Sequence, residues 1–89
     1  MLKVKVENME SSRGNAIPNQ FIIHAETGVY FQSYNAIIVL EKAGKVFLDR
    51  QYWDYSVTTG KYRNIFLGET KKETEKKIKA GIYKLVDLN

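Results

Sequence analysis

Short β-rich runs separated by tight turns constrain the fold of this chain more than any other feature. Residues 20–25 and 29–34 are rich in β-branched and aromatic side chains, and the turn between them contains Gly28. Residues 36–41 and 46–49 repeat the arrangement around a second glycine-containing turn. Because short glycine turns between β-rich runs are typical of hairpins, the sequence predicts two consecutive hairpins.

The first nineteen residues are expected to contribute one strand and a long loop. Residues 2–6 alternate aliphatic and charged side chains, which is the pattern of a half-buried strand. Residues 8–19 contain several turn-forming side chains and Pro18, so they are predicted to be a loop. The run Ile37–Leu40 fits a buried helix by periodicity alone, although its β-branched content favours a strand.

A short helix is predicted after the hairpins. Thr58 or Thr59 can cap its first turn, and apolar side chains then recur at helical spacing as far as Leu67. Gly68 stands where a helix commonly ends in a left-handed residue.

A second helix is predicted from a capping box. Thr70 and Glu73 have the spacing at which each side chain bonds to the backbone amide of the other. The helix is expected to reach Ala80, with Gly81 ending it, and residues 83–88 are expected to return to the sheet as an extended segment. This helix has one large apolar side chain, so it is predicted to lie on the outside.

The length of the chain allows only one small core. Eighty-nine residues are expected to form one domain, residues 1–89, because domains are seldom much smaller. We therefore predict an α+β fold, in which a mostly antiparallel sheet of four or five strands is followed by a short helix and an exposed basic C-terminal helix.

Composition excludes several classes of site. The chain has no cysteine and one histidine, His24, so thiolate metal sites, disulfides and cysteine nucleophiles are ruled out and no cofactor is expected. Its start shows no signal peptide, and its longest apolar stretch is far too short to span a membrane. A soluble protein of the bacterial cytoplasm is expected, with no membrane partner.

No catalytic motif occurs in the chain. Phosphate-binding loops and nucleophile elbows are missing, and the acids Asp49 and Asp54 have no spacing that specifies a glycosidase or magnesium site. His24 has too few potential partners to act as a general base. The sequence therefore favours a protein that is not an enzyme.

Positive charge and aromatic rings give the strongest remaining signal. Residues 57–89 carry eight basic and four acidic side chains, which is the whole of the net charge of +4. Single-stranded nucleic-acid binders combine such a charge with stacking rings, although a small domain also needs its rings, Trp53 included, in the core. The candidate contacts with a partner or nucleic acid are Lys61, Arg63, Lys72, Lys76, Lys79, Tyr52 and Tyr55.

Several short stretches resemble small uncharacterised proteins encoded by bacteriophages. They include Phe31-Gln32-Ser33-Tyr34, Trp53-Asp54-Tyr55-Ser56 and Lys61-Tyr62-Arg63. The resemblance implies a phage protein that acts in the bacterial cytoplasm by binding host machinery, including immune systems. The leading hypothesis is thus a non-enzymatic binder of a host protein or nucleoprotein complex, and the alternative is a single-stranded nucleic-acid binder. The sequence leaves the oligomeric state open.

Overall fold

The computed structural model describes residues 3–89, which form one mixed sheet and two helices. The strands follow one another across the sheet in the order of the chain, β1-β2-β3-β4-β5-β6. The elements are β1 (Val4–Glu10), β2 (Ala16–Ala25), β3 (Gly28–Ser33), β4 (Ala36–Lys42), β5 (Lys45–Asp49), α1 (Val57–Leu67), α2 (Lys71–Lys79) and β6 (Tyr83–Val86).

The α+β class is confirmed, and two details of the prediction are corrected. The sheet has six strands where four or five were expected, and it is mixed because β6 pairs with β5 in parallel. The basic helix α2 is followed by β6, which confirms the predicted return of the chain to the sheet after Gly81. The two helices between β5 and β6 provide the long connection that a parallel pair requires. Leu2, where the first predicted strand begins, lies outside the described residues.

The predicted loop over residues 8–19 is wrong. Strand β1 runs to Glu10 and β2 begins at Ala16, so only a short turn separates them. Pro18 is tolerated because the β1–β2 register shifts there: Asn8 faces Phe21 and Glu10 faces Ala16. Residues inside such an irregularity need not donate to the ladder, which is why proline can occur in this strand.

Both predicted hairpins are present, and β4 settles the ambiguity at Ile37–Leu40 in favour of a strand. Gly28 begins β3 with φ 145°, and a Cβ atom at this position would lie 2.4 Å from the Glu41 carbonyl oxygen. Only glycine can bring the hairpin backbone this close to β4.

Both helices form with the predicted ends, apart from the first cap. The N-cap of α1 is Ser56, whose side chain accepts from the Thr59 amide at 3.1 Å, and Gly68 ends the helix with φ 69°. The capping box of Thr70 and Glu73 is present at the start of α2. Gly81, with φ 76°, follows the C-cap of α2.

The helices lie on one side of the sheet, which we call the helical face. Phe31 of β3 stacks on Phe66 of α1 with ring centroids 5.7 Å apart. The Tyr83 hydroxyl of β6 accepts a hydrogen bond from the Lys77 ammonium of α2 at 3.4 Å. The buried core on this side consists of Met9, Phe31, Ile38, Val39, Leu48 and Tyr83.

The opposite side, which we call the open face, is also apolar. Cross-strand pairing places one residue of each strand in a row across it: Val6, Ile23, Tyr30, Leu40, Phe47 and Lys84. By strand alternation, Val4 and Phe21 lie on the same side. None of these residues belongs to the core cluster, so among the described residues the open face has no covering layer.

Candidate functional site

A cleft of about 660 Å³ opens where the sheet meets the start of α1. The turn between β3 and β4 forms one wall, and the segment between β5 and α1 forms another. Aromatic rings, hydroxyls, amides and two aliphatic side chains line this cleft. Among the described residues, they belong to Ser33, Tyr34, Asn35, Ala36, Ile38, Tyr52, Tyr55, Ser56, Thr58, Thr59 and Asn89. The described lining contains no aspartate, glutamate, lysine, arginine or histidine.

Tyr34 reaches the cleft from a strained backbone position. Ser33 pairs with Ala36, so Tyr34 and Asn35 form a two-residue turn, in which Tyr34 has φ 56°. The left-handed region costs a bulky side chain roughly 1–2 kcal/mol, and glycine is the usual residue there. The Tyr34 amide donates to the Asn19 carbonyl at 2.7 Å, which helps to hold the turn. A half-exposed aromatic ring is therefore kept at the cleft despite its conformational cost.

Tyr52 and Tyr55 form an edge-to-face pair on the other wall, with ring centroids 5.3 Å apart. Their segment is anchored by Asp49, whose buried carboxylate accepts from the Gln51 and Tyr52 amides at 3.1 and 2.9 Å and from the Leu88 amide at 2.8 Å. Burial alone would raise the pKa of Asp49, but these amide donors outweigh it and hold the pKa below its usual range. Asp49 thus has a structural role here.

A chain of hydroxyls connects the mouth of the cleft to its floor. The Ser56 Oγ donates to Thr59 Oγ1 at 3.2 Å, and Thr59 Oγ1 lies 3.0 Å from the buried Ser33 Oγ. Gln20 pairs with Ser33 across the strands, so the two side chains start from the same face about 5 Å apart. The amide of Gln20 is fully buried and has no hydrogen-bond partner among the described residues. Such a group is costly unless water or another polar group reaches it.

Asn89 closes the cleft on the side of β4. Its side-chain amide donates to the Ile37 carbonyl at 2.9 Å and accepts from the Ile37 amide at 2.8 Å. These two bonds fix the Asn89 side chain against β4.

The chemistry of this lining favours binding. Tyrosine rings supply rigid contact area, and serine, threonine and asparagine supply donors and acceptors that adapt to a partner.

The structure separates the predicted contact residues into several places. Tyr52 and Tyr55 are brought together in the cleft, whereas Lys72, Lys76 and Lys79 are exposed on α2 and do not line it. Lys61 is also exposed, and its ammonium lies 5.3 Å from the centroid of the neighbouring Tyr62 ring. The rings and the lysines therefore do not line one common cleft.

Arg63 is placed differently from a contact residue, because its side chain is only 1% exposed. Its guanidinium donates to the Trp53 carbonyl and, at 3.0 Å, to Asn64 Oδ1, and it lies 3.5 Å from an Asp54 carboxylate oxygen. Burial lowers the pKa of Arg63, and the Asp54 carboxylate opposes that shift. Trp53 packs against the core, partly buried, with its ring centroid 5.2 Å from the guanidinium carbon. Arg63 thus joins the Trp53 segment to α1 and is not available to a partner.

Lys77 forms an ion pair with Glu69, which lies just before α2. Glu73 stands four residues before Lys77, the usual spacing of an ion pair on a helix, but its carboxylate takes part in the capping box. The Glu69 carboxylate accepts from Lys77 at 2.6 Å, from Thr74 at 2.5 Å and from the Tyr83 hydroxyl at 2.7 Å. Burial alone would raise the pKa of Glu69, but these donors outweigh it and hold the pKa below its usual range. This cluster fastens α2 to β6.

His24 lies on the surface of the sheet, where its Nε2 is 2.9 Å from a carboxylate oxygen of Glu7 on β1. The hydrogen bond with His24, supported by Lys5, lowers the pKa of Glu7. Among residues 3–89, no group of three or more histidine, aspartate or glutamate side chains is placed to hold a metal ion.

Sequence reasoning missed the most unusual residues of the cleft. Tyr34 was expected at the end of a β-rich run, and its turn was missed because a Tyr-Asn turn lacks the glycine that normally marks a left-handed residue. Gln20, which pairs with Ser33 but does not itself line the cleft, reads as an ordinary strand residue. Only the proximity of Tyr52 to Tyr55 in the sequence pointed towards this place.

The fold and cleft define a class: a two-layer α+β domain with an uncharged aromatic cleft at one end of its sheet. The chain belongs to a family of unknown function, DUF8033, whose family model matches residues 4–81. That range includes both helices and all but the last strand. Comparison with curated proteins and with solved structures finds no match. Within the described residues, neither helix has the length and apolar character needed to cross a membrane.

Proposed function

We propose that this chain is a non-enzymatic binding protein that holds an exposed segment of a partner protein in the cleft. The observation that carries the proposal is the lining itself, in which three tyrosines are combined with hydroxyl and amide side chains and no charge. Protein-recognition surfaces use this combination, because tyrosine gives large contact area at little cost in conformational entropy.

The strained turn supports the same proposal. Glycine or asparagine at position 34 would relieve the backbone, yet an aromatic residue stands there with its ring at the cleft. Strain of this kind is commonly retained at functional sites, where the side chain is needed for binding.

The chemistry of the cleft describes the partner. An uncharged site disfavours a segment with a buried charge, since desolvation would be uncompensated, and favours a neutral one with a polar or aromatic side chain. The resemblance to phage proteins suggests that this partner is a host protein or nucleoprotein complex in the bacterial cytoplasm, such as a component of an immune system.

The experiment is a pull-down from a bacterial lysate that compares four forms of the protein. Tyr55→Ala removes a 67% exposed ring from the cleft, and Tyr34→Gly removes another while relieving the left-handed strain. Ile65→Ala is the matched control, because Ile65 is 57% exposed and does not line the cleft. We expect the wild type and Ile65→Ala to retain a partner that both tyrosine variants bind at least about tenfold more weakly.

Tyr34→Gly gives the sharpest result, since it should be at least as stable as the wild type while binding less. A partner that both tyrosine variants retain fully would show that the cleft is not the site. A partner that is lost on nuclease treatment would instead favour the nucleic-acid alternative.

A further inference from the structure

The open face is an apolar surface somewhat smaller than the apolar part of a standard homodimer interface. Six strands about 4.8 Å apart and about five residues long give it a footprint of about 400 Å². Monomeric proteins seldom expose a contiguous apolar patch much larger than about 300–600 Å². The apolar part of a standard homodimer interface is about 500 Å² per partner, from about 65% of about 800 Å².

The row across the face is apolar along almost its whole length. Val6 pairs with Ile23, Tyr30 with Leu40 and Leu40 with Phe47, so the side chains form a continuous surface. Val4 and Val6 are 61% and 59% exposed on the outermost strand. The row ends at Lys84, whose long stem can cover apolar surface while its charge stays in water.

Apart from Lys84 on the β6 edge, charge on this face is confined to one corner. Lys42 pairs with Lys45 beside the turn between β4 and β5, and both are exposed. At the same end of the sheet, the turn between β2 and β3 carries the exposed Glu26. The two turns share an end because β2 and β4 run in the same direction.

From this arrangement we propose that the open face binds the open face of a second copy, forming a symmetric dimer by sheet-on-sheet packing. A twofold axis parallel to the strands places β2 of one copy over β5 of the other and β3 over β4. The Tyr30–Leu40 pair at the centre of one open face then contacts the same pair of the second copy. Glu26 of each copy faces Lys42 and Lys45 of the other. Aligned sheets pack in this way about 10 Å apart, with their strands within about 30° of each other.

The dimer is independent of the proposed function, since no residue of the open-face row lines the cleft. Both clefts stay accessible, so the dimer would present two copies of the binding site. If the dimer fails its test, cleft binding is untouched, and the reverse also holds.

Sedimentation equilibrium of the full chain tests the proposal. At concentrations of tens of micromolar, we expect twice the 10.3 kDa mass of the chain. Leu40→Gln places an amide at the centre of the face and should raise the dissociation constant at least about tenfold. Ile65→Gln, on the helical side, makes the same kind of change at a residue that is 57% exposed and should leave the dimer intact. Circular dichroism confirms that each variant is folded.

A charge exchange tests the orientation of the two copies. Glu26→Lys should weaken the dimer several-fold at low salt, and adding Lys42→Glu and Lys45→Glu should restore it. A wild-type chain that stays monomeric at these concentrations would overturn the proposal. So would a dimer that tolerates Leu40→Gln unchanged, since it would then form through an edge strand.

Discussion

Glu69 illustrates how one side chain can fasten two elements together. Its carboxylate is almost inaccessible to solvent, at 4% exposure, and collects donors from α2 and from β6. An ionised carboxylate in such a place is stable only because every donor is aimed at it. The ionised form is therefore stabilised by the folded state, and stability depends on pH.

We predict that Glu69→Gln lowers the free energy of unfolding at pH 7 by about 1.5–3 kcal/mol, since hydrogen bonds to charged groups contribute about that much. The folded state lowers the pKa of Glu69, so its contribution is complete above the unfolded pKa near 4.5 and is lost as pH falls through the folded value. Urea unfolding from pH 7 to pH 3 measures both effects.

In this experiment, the variant should show a smaller loss of stability on acidification than the wild type. Part of the loss should remain in the variant, because the pKa of Asp49 is lowered as well. Glu75→Gln is the control, because this substitution makes the same change of charge at an exposed position of α2. Equal acid sensitivity in the wild type and Glu69→Gln would mean that folding does not lower the pKa of Glu69.

The capping box fixes the residue at which α2 begins. Of all the helix and strand boundaries, this one has the clearest pattern in the sequence. Thr70 Oγ1 accepts from the Glu73 amide at 3.2 Å, and the Glu73 carboxylate accepts from the Thr70 amide at 3.2 Å. With a single large apolar side chain, α2 gains little from packing, so a larger share of its stability must come from its ends.

Thr70→Ala should lower the free energy of unfolding by about 0.5–2 kcal/mol, because it removes the side-chain acceptor for the first turn. Chemical denaturation followed by far-ultraviolet circular dichroism measures the loss. Lys72→Ala is the matched control in the same turn, since it alters no capping bond and should change stability by less than about 0.5 kcal/mol. If the two variants unfold alike, the cap does not hold the helix.

The predictable elements are those with local signals, and the missed ones depend on distant pairing. The hairpin at Gly28 and the cap at Thr70 could be found because turn and capping chemistry lies within a few residues. Pro18 argued against a strand, and only the shifted register between β1 and β2 explains how it is accommodated. The parallel pairing of β6 with β5 links residues nearly forty positions apart, and no short window contains that information. For the same reason, the sequence named Tyr52 and Tyr55 as candidate contacts but predicted neither the cleft nor the turn at Tyr34.

At the scale of the whole molecule, positive charge is concentrated on the helical layer. Lys72, Lys76 and Lys79 are exposed on α2, but Glu73 and Glu75 lie among them, and the net charge of the chain is only +4. Tight non-specific binding to nucleic acid normally requires several phosphate contacts that no neighbouring acid competes for.

We therefore expect an arbitrary oligonucleotide to bind at about 150 mM salt with a dissociation constant weaker than about 1 μM, as is typical of non-specific binding. Fluorescence anisotropy over a range of salt concentrations measures this constant. Changing all three lysines to glutamate should leave the fold intact, because their side chains project into water. Sub-micromolar binding that disappears in the triple variant would make the nucleic-acid alternative the better description of the protein.

The order of the strands has a consequence for how the protein is made. Because the sheet follows the order of the chain, each strand from β2 to β5 pairs with the one synthesised just before it. A nascent chain leaving the ribosome can therefore add these strands one at a time, and none of them has to wait for a distant partner. Only β6 must wait for the two helices before it pairs with β5, so among the described strands it is the last to join the sheet. Translation itself thus runs in the same direction as assembly.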